Sequence, residues 1–166
     1  MDMLIFFDTE FTGLSEEPRL ISIGLISEDG HREFYVELSD SYHFSDLSDF
    51  ARDAVLPHLQ GGDSLVTMSE LRLRLQHWLT EFNCPVTLAT DSFNWDWPWV
   101  LDIFCDLNTW PKNLENYPVV LNFDYIPDIE TFNEEVENAF MDGLRQHHAL
   151  DDAKANRIGW LASISQ

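Results

Sequence analysis

Apolar positions along the chain follow two rhythms, one of strands near the start and one of helices later. Met3-Leu4-Ile5-Phe6-Phe7 is an unbroken apolar run that stops at Asp8-Thr9-Glu10, the pattern of a buried strand ending at a polar edge. Leu20 to Ile26 alternates imperfectly and predicts a second strand. Glu28-Asp29-Gly30-His31 is a turn, and Glu33 to Leu38, rich in aromatic and β-branched residues, predicts a third strand. The short connections make these three an antiparallel meander. Residues 39–45 are polar, and Asp46 to Leu59 predicts a helix stopped by Pro57 and then by Gly61-Gly62.

The helical rhythm is clearest after Thr67-Met68-Ser69-Glu70, a capping box with Glu three residues beyond the N-cap hydroxyl. Leu71, Leu75, Trp78, Leu79 and Phe82 follow at helical spacing, with Arg72 and Arg74 on the solvated side. Pro85 to Thr90 predicts a short strand. Asn94 caps a further helix that tolerates Pro98 in its early turns, with Trp97, Leu101, Phe104 and Cys105 inward. After a loop over 108–117, Val119-Val120-Leu121-Asn122-Phe123 predicts a strand. Pro127 to Phe140 predicts an acidic helix closed by Gly143. His148 to Ser163 predicts the last helix, with Leu150, Ala153, Ile158 and Leu161 inward. This order predicts one α/β domain over residues 1–166. Its sheet is mixed and five-stranded, three antiparallel strands plus parallel ones, flanked by helices.

Composition adds a constraint. An apolar content of 45% with 13% aromatics over 166 residues is that of a folded domain with a real core. The apolar runs are far too short to span a bilayer, and the acidic start lacks the basic n-region of a signal peptide. The expectation is a cytoplasmic protein with Cys84 and Cys105 as reduced thiols. Against 9 Lys and Arg stand 30 Asp and Glu, a formal net charge of −21. Such a chain repels polyanions at long range, so a broad basic groove for duplex nucleic acid is excluded. Any action on nucleic acid would use bound metals, aromatic stacking and a few placed arginines on a short single strand.

Three places gather acids where the fold would bring them to one sheet edge. Asp8 and Glu10 alternate along a strand and so share a face, where two like charges call for a cation between them. Phe93-Asn94-Trp95-Asp96 offers a carboxylate at a helix start, with Asp91 at the preceding strand end as its competitor. His147-His148-Ala149-Leu150-Asp151-Asp152-Ala153 supplies imidazoles, adjacent acids and small alanines that permit close helix approach. Periodicity does not choose between Asp151 and Asp152, nor between His147 and His148.

Taken together, these stretches resemble the DEDDh 3′–5′ exonucleases. Asp8-Thr9-Glu10-Phe11-Thr12-Gly13-Leu14 resembles the first motif, Asp-x-Glu-Thr-Thr-Gly. Phe93-Asn94-Trp95-Asp96 resembles the second, and residues 147–153 match the third, His-x-Ala-x-x-Asp-Ala, in full. Leu20-Ile21-Ser22-Ile23-Gly24 and Val55-Leu56-Pro57-His58-Leu59 are similar to a compact bacterial exoribonuclease branch. The resemblance implies an RNase H-like fold. It implies that Asp8, Glu10, Asp96 and Asp152 hold two divalent cations, Mg²⁺ or Mn²⁺, with His147 as general base. Hard cations take such oxygen ligands, and a pair of them clamps the entering and leaving oxygens of a phosphoryl displacement. The five-residue step from His147 selects Asp152, and the aromatic-Asp pattern selects Asp96. His148 then reads as a solvated residue or a helix-start contact.

The sequence departs from the family pattern at Phe11, where Thr is usual. Phe11 reads as a base-stacking residue or a core residue. Leu14 is implied as a wedge against the terminal base, and Thr12 belongs to the same turn. Arg145 is a candidate phosphate contact. Trp97 reads as core, whereas Trp95 and Trp99 stay open between core and stacking. The expected activity is hydrolysis from the 3′ end of single-stranded nucleic acid, RNA rather than DNA by the nearer branch, with a homodimer also implied by resemblance. The rival expectations are a DNA 3′–5′ exonuclease or proofreading-type subunit, and, from another class, a non-catalytic acidic mimic of nucleic acid that captures a basic partner. A mimic has no need of the three motifs in order, and a degenerate nuclease would not keep all five motif positions filled.

Overall fold

The computed structural model describes residues 2–104 and 109–165. Its centre is β1 (Met3–Phe11), built from the apolar run and buried along nearly its whole length. β2 (Leu20–Ser27) is fully buried and pairs antiparallel with β1, and β3 (Glu33–Leu38) pairs antiparallel with β2. Gly30, at φ 76°, makes the turn between them. On the other flank β5 (Val86–Thr90) lies parallel to β1. The two outermost strands have two residues each, β4 (Leu65–Val66) parallel to β3 and β6 (Val119–Val120) parallel to β5. The sheet therefore has six strands in the order β4-β3-β2-β1-β5-β6, not five. β4 escaped prediction because two residues carry no period.

Alternation along β1 divides the core in two. Ile5 and Phe7 face α1 (Met68–Thr80) and α2 (Phe93–Ile103), in a cluster with Leu71, Leu75, Leu79, Trp97 and Val100. Leu4 and Phe6 face the opposite layer, α3 (Ile129–Met141) and α4 (Ala149–Ile164), with Phe132, Leu150 and Ala153. The Thr67 capping box forms as expected, its hydroxyl accepting from Glu70 N and the Glu70 carboxylate from Thr67 N.

Five helical expectations change. The N-cap of α2 is Ser92, and Asn94 lies inside its first turn. Asp46–Leu59 is not one helix: a short turn at Phe44–Asp46 precedes a wide turn over Ala51–Val55 and a tight one over Leu56–His58. Pro57 has no N–H for a continuing ladder, and the segment is held instead by packing Leu47, Ala51 and Val55 on Ile21. Val100 and Ile103, not Leu101, line the inner face of α2; Leu101 is 48% exposed. Cys105 lies outside the described residues. Arg72 is not simply solvated: its Nε donates to Ile103 O at the end of α2. In α4 Leu150 and Ala153 are buried as expected, together with Ala149, Ala155, Asn156, Gly159 and Ser163, while Leu161 is half-buried and Ile158 is exposed. Small residues let α4 lie close to its neighbours: a Cβ on Gly159 would meet Phe132 O at 2.7 Å.

The predicted strand at Val119–Phe123 also stops early. Asn122 Oδ1 accepts from Asp124 N and its carbonyl from Tyr125 and Ile126, turning the chain out of the sheet. Cys84 is a free thiol packed against the core. Among the described residues, no helix is long and apolar enough to cross a membrane.

Candidate metal and catalytic site

β1 and β5 run parallel, so both deliver their C-terminal ends to one edge of the sheet. Their register pairs Phe6 with Ala89, and continuing it sets Asp91 level with Asp8. α2 begins two residues after Asp91 and carries Asp96 into the same corner. Asp96 is 1% exposed, yet both its oxygens are satisfied: Thr9 Oγ1 donates to Oδ1 at 2.6 Å and Thr90 Oγ1 to Oδ2. Thr9 reaches Asp96 because it points to the face opposite Asp8 and Glu10.

The start of α4 closes the other side. It can do so because Gly24, the cross-strand partner of Asp8, has no side chain: a Cβ there would lie 2.2 Å from Leu150 N and 2.5 Å from Ala149 C. The turn before the helix places His147 at φ 65°, a left-handed conformation that a non-glycine residue adopts only when its surroundings enforce it. Two contacts do so. His147 N donates to Asp152 Oδ2 at 2.9 Å, and Phe50 packs edge-on to the imidazole at 4.8 Å between centroids.

His148 braces the same turn from below. It is buried rather than solvated, accepts Asp151 N on Nδ1 as the N-cap of α4, stacks on Tyr35 at 4.4 Å, and contacts Gln60 through Nε2. Asp151 is held by Arg145, whose backbone N and Nε both donate to Oδ2. Behind them Glu37, 1% exposed, accepts from Tyr35 Oη and from the backbone N–H groups of Gln60 and Gly61.

Two sets of ligand atoms result. One carboxylate oxygen each of Asp8, Asp91 and Asp96 lie within 4.8 Å of one another, and so do one ligand atom each of Glu10, His147 and Asp152. Both sets line one cleft of about 370 Å³. Asp91, weighed against Asp96 in the sequence, joins it instead. Asp152 rather than Asp151 faces the cleft, and His147 rather than His148.

The electrostatics follow from this crowding. Burial first, then the charges of Asp96, Asp152 and Glu10, push Asp8 well above the usual carboxylate range. Burial and the neighbouring Asp152 carry Glu10 up to about 9. Burial brings Asp96 to about 7 against the opposing pull of the Thr9 and Thr90 hydroxyls, and burial likewise brings Asp152 to about 7. Asp91 is also raised by desolvation at the cleft wall, although its side chain stays exposed, with the Asn156 hydrogen bond pulling the other way. His147 is lowered by burial and then by His58, so its imidazole is neutral at pH 7.

The donor set fits a hard divalent cation. It is mostly carboxylate oxygen with one imidazole, and no protein group among those described donates to Asp8. These acid groups could hold a metal ion; without one, they cannot all be ionised.

The remaining candidates divide. Phe11 is half-buried, stacked on Trp95 at 5.9 Å and 18°, and beside Trp99 at 6.2 Å; it lines the cleft. Leu14 is 73% exposed beyond Gly13. Thr12 is buried, and its hydroxyl accepts Arg19 N, so it holds the turn and does not face the cleft. Arg145 is turned to Asp151 and is not among the cleft-lining residues. Sequence reasoning missed Thr9, Thr90, Gly24 and the Tyr35–Glu37–Gln60 brace. Of these only Thr9, sandwiched between two candidate ligands, carried a signal.

Compared with family models and with curated proteins, the sequence matches none.

Proposed function

We propose that the protein is a metal-dependent 3′–5′ exonuclease of the DEDDh kind, with an RNase H-like fold, acting on single-stranded nucleic acid, RNA in preference to DNA. The observation that carries the reading is the convergence of Asp8, Glu10, Asp96, His147 and Asp152 from β1, α2 and the start of α4 into one cleft. Asp8, Glu10, Asp96 and Asp152, with Asp91 beside them, would hold the cations. When bound, two divalent cations supply Lewis-acid stabilisation to the entering and leaving oxygens of a phosphoryl displacement.

The chain's own residues do the rest. Neutral His147, held in its left-handed backbone by Asp152, accepts the proton of the attacking water. The water oxygen bonds to phosphorus, the bond from phosphorus to the 3′ oxygen breaks, and that oxygen leaves with a proton from solvent. The products are a nucleoside 5′-monophosphate and a strand one nucleotide shorter. Thr9 and Thr90 fix Asp96, and the Arg145–Asp151–His148 brace fixes the turn that carries His147.

The test is 5′-labelled single-stranded RNA and DNA incubated with Mg²⁺, with Mn²⁺ or with chelator. A ladder descending from the 3′ end, RNA faster than DNA and abolished by chelator, is expected. Intact substrate under every metal condition would remove the enzyme reading and leave the acidic mimic.

A further inference from the structure

The acid cleft opens sideways onto an aromatic hollow. Trp95 and Trp99 stand four residues apart on α2 and so share a helix face; Trp95 is open to solvent, Trp99 is half-buried with one side against the core, and Trp97 points inward and is 5% exposed. Phe11 stacks on Trp95 and leans on Trp99, and Pro18 and Pro98 complete a second hollow of about 200 Å³. Phe11 and Trp95 line both the hollow and the acid cleft. Trp95 is 46% exposed, a large ring left open to solvent at the mouth of a charged site.

Charge decides what this face can hold. Of nine Lys and Arg, five lie in ion pairs with carboxylates. Arg72 and Arg157 donate to backbone carbonyls. No Lys or Arg lines the cleft or the hollow among the described residues. Along these two surfaces a strand meets no lysine or arginine among the described lining residues, so the aromatic rings are the attraction this face itself offers.

We propose that the Phe11–Trp95–Trp99 face is a base-stacking shelf for a single-stranded nucleic acid whose adjacent phosphate occupies the acid cleft. The inference rests on the nuclease reading of that cleft. Aromatic–base stacking tolerates any sequence, and loss of one such ring costs on the order of tenfold in affinity. The shelf selects for unpaired ends, because a base within a duplex has no free face to offer. Affinity comes from rings and not from released counterions, so binding hardly depends on salt.

The test is a coupling measurement on the full chain in Ca²⁺, by anisotropy of 5′-labelled decamers. The ligands are an intact single strand and three versions abasic at the last, second-last or third-last position. Trp95→Ala and Trp99→Ala are each expected to weaken the intact strand on the order of tenfold. At one abasic position, that loss should shrink to under about twofold, the signature of a ring and a base in contact. Trp95→Phe should restore most of the loss, which separates stacking from damage to the neighbouring Asp96. Equal losses on intact and abasic strands at all three positions would overturn the shelf, as would no binding by the parent protein. A steep fall in affinity between low and high salt would also overturn it. If Trp95→Ala instead changes only the sedimentation coefficient, the face belongs to a second copy of the chain and the shelf is wrong. Hydrolysis in Mn²⁺ is read in parallel: hydrolysis without coupling sinks the shelf alone, and coupling without hydrolysis sinks the nuclease reading alone.

Discussion

Gly24→Ala tests how the site is assembled. Gly24 sits opposite Asp8, and an added methyl would lie 2.2 Å from Leu150 N, 2.3 Å from Leu150 Cα and 2.5 Å from Ala149 C, where ordinary contact begins at 3.4 Å. The shortfall is about 1 Å (3.4 less 2.2 to 2.5), and all three atoms are backbone, so no rotamer relieves it. The start of α4 must retreat, taking His147 and Asp152 from Glu10. Overpacking of this size costs about 1–3 kcal/mol. At roughly 2–4 °C per kcal/mol for a chain of this length, Tm should fall by about 2–12 °C. The greater effect falls on the site. A displacement near 1 Å costs on the order of 100-fold in rate, and Mn²⁺ binding should weaken with it. Calorimetry, a Mn²⁺ titration and the ladder assay read the three effects. Gly62→Ala is the control: nothing lies within 4 Å of it, but its φ of 57° strains any side chain. It should lower Tm by a few degrees while Mn²⁺ affinity stays at the parental value. Parental Tm and Mn²⁺ affinity in Gly24→Ala would refute the claim that this glycine admits the helix that carries Asp152.

Three further outcomes follow from the same geometry. Glu10 at about 9, with Asp96 and Asp152 at about 7, keep protons in the folded metal-free protein that the unfolded chain has already released. Stability should therefore fall as pH rises from about 4 through about 9, and saturating Mn²⁺ should flatten that dependence in thermal melts. A Tm that rises with pH without metal would contradict it. Thr9→Val removes one of the two hydroxyls on Asp96 and should weaken Mn²⁺ binding roughly 10- to 100-fold by titration calorimetry. His147→Gln should lower kcat roughly 10²- to 10⁴-fold with Mn²⁺ affinity changed far less, measured on a 5′-labelled RNA.

Legibility in the sequence tracked the range of the interaction. The Met3–Phe7 run, the Thr67 capping box and the Leu71–Leu75–Leu79 stripe announce themselves because their signals are local and periodic. The wide turn at Ala51–Val55 is opaque because Pro57 and the packing on Ile21 settle it, not propensity. α4 misled for a different reason. Beyond Leu150 its inner face is made of Ala, Asn, Gly and Ser, so the large residue Ile158 marks the wrong side. At the site, Asp8 and Glu10 are legible from strand alternation. Asp91 beside Asp96 is not, because their proximity comes from β1–β5 register. The choices of His147 over His148 and Asp152 over Asp151 rested on motif spacing. Their geometric counterpart is the left-handed turn at His147, which aims one of each pair at the cleft and buries the other against Tyr35 and Arg145.

The most direct test of the two-cation reading is the rate of 3′-end hydrolysis by the parent and by Asp8→Asn, on one 5′-labelled single-stranded RNA in Mn²⁺. Asp8 belongs to the carboxylate set and has no protein donor among those described. Its loss removes several kcal/mol of charge stabilisation, on the order of a thousand-fold at about 1.4 kcal/mol per decade. A ladder descending from the 3′ end with the parent, and an intact strand with Asp8→Asn over the same time, is the expected result. Equal rates for the two proteins, or no ladder with the parent, would contradict it.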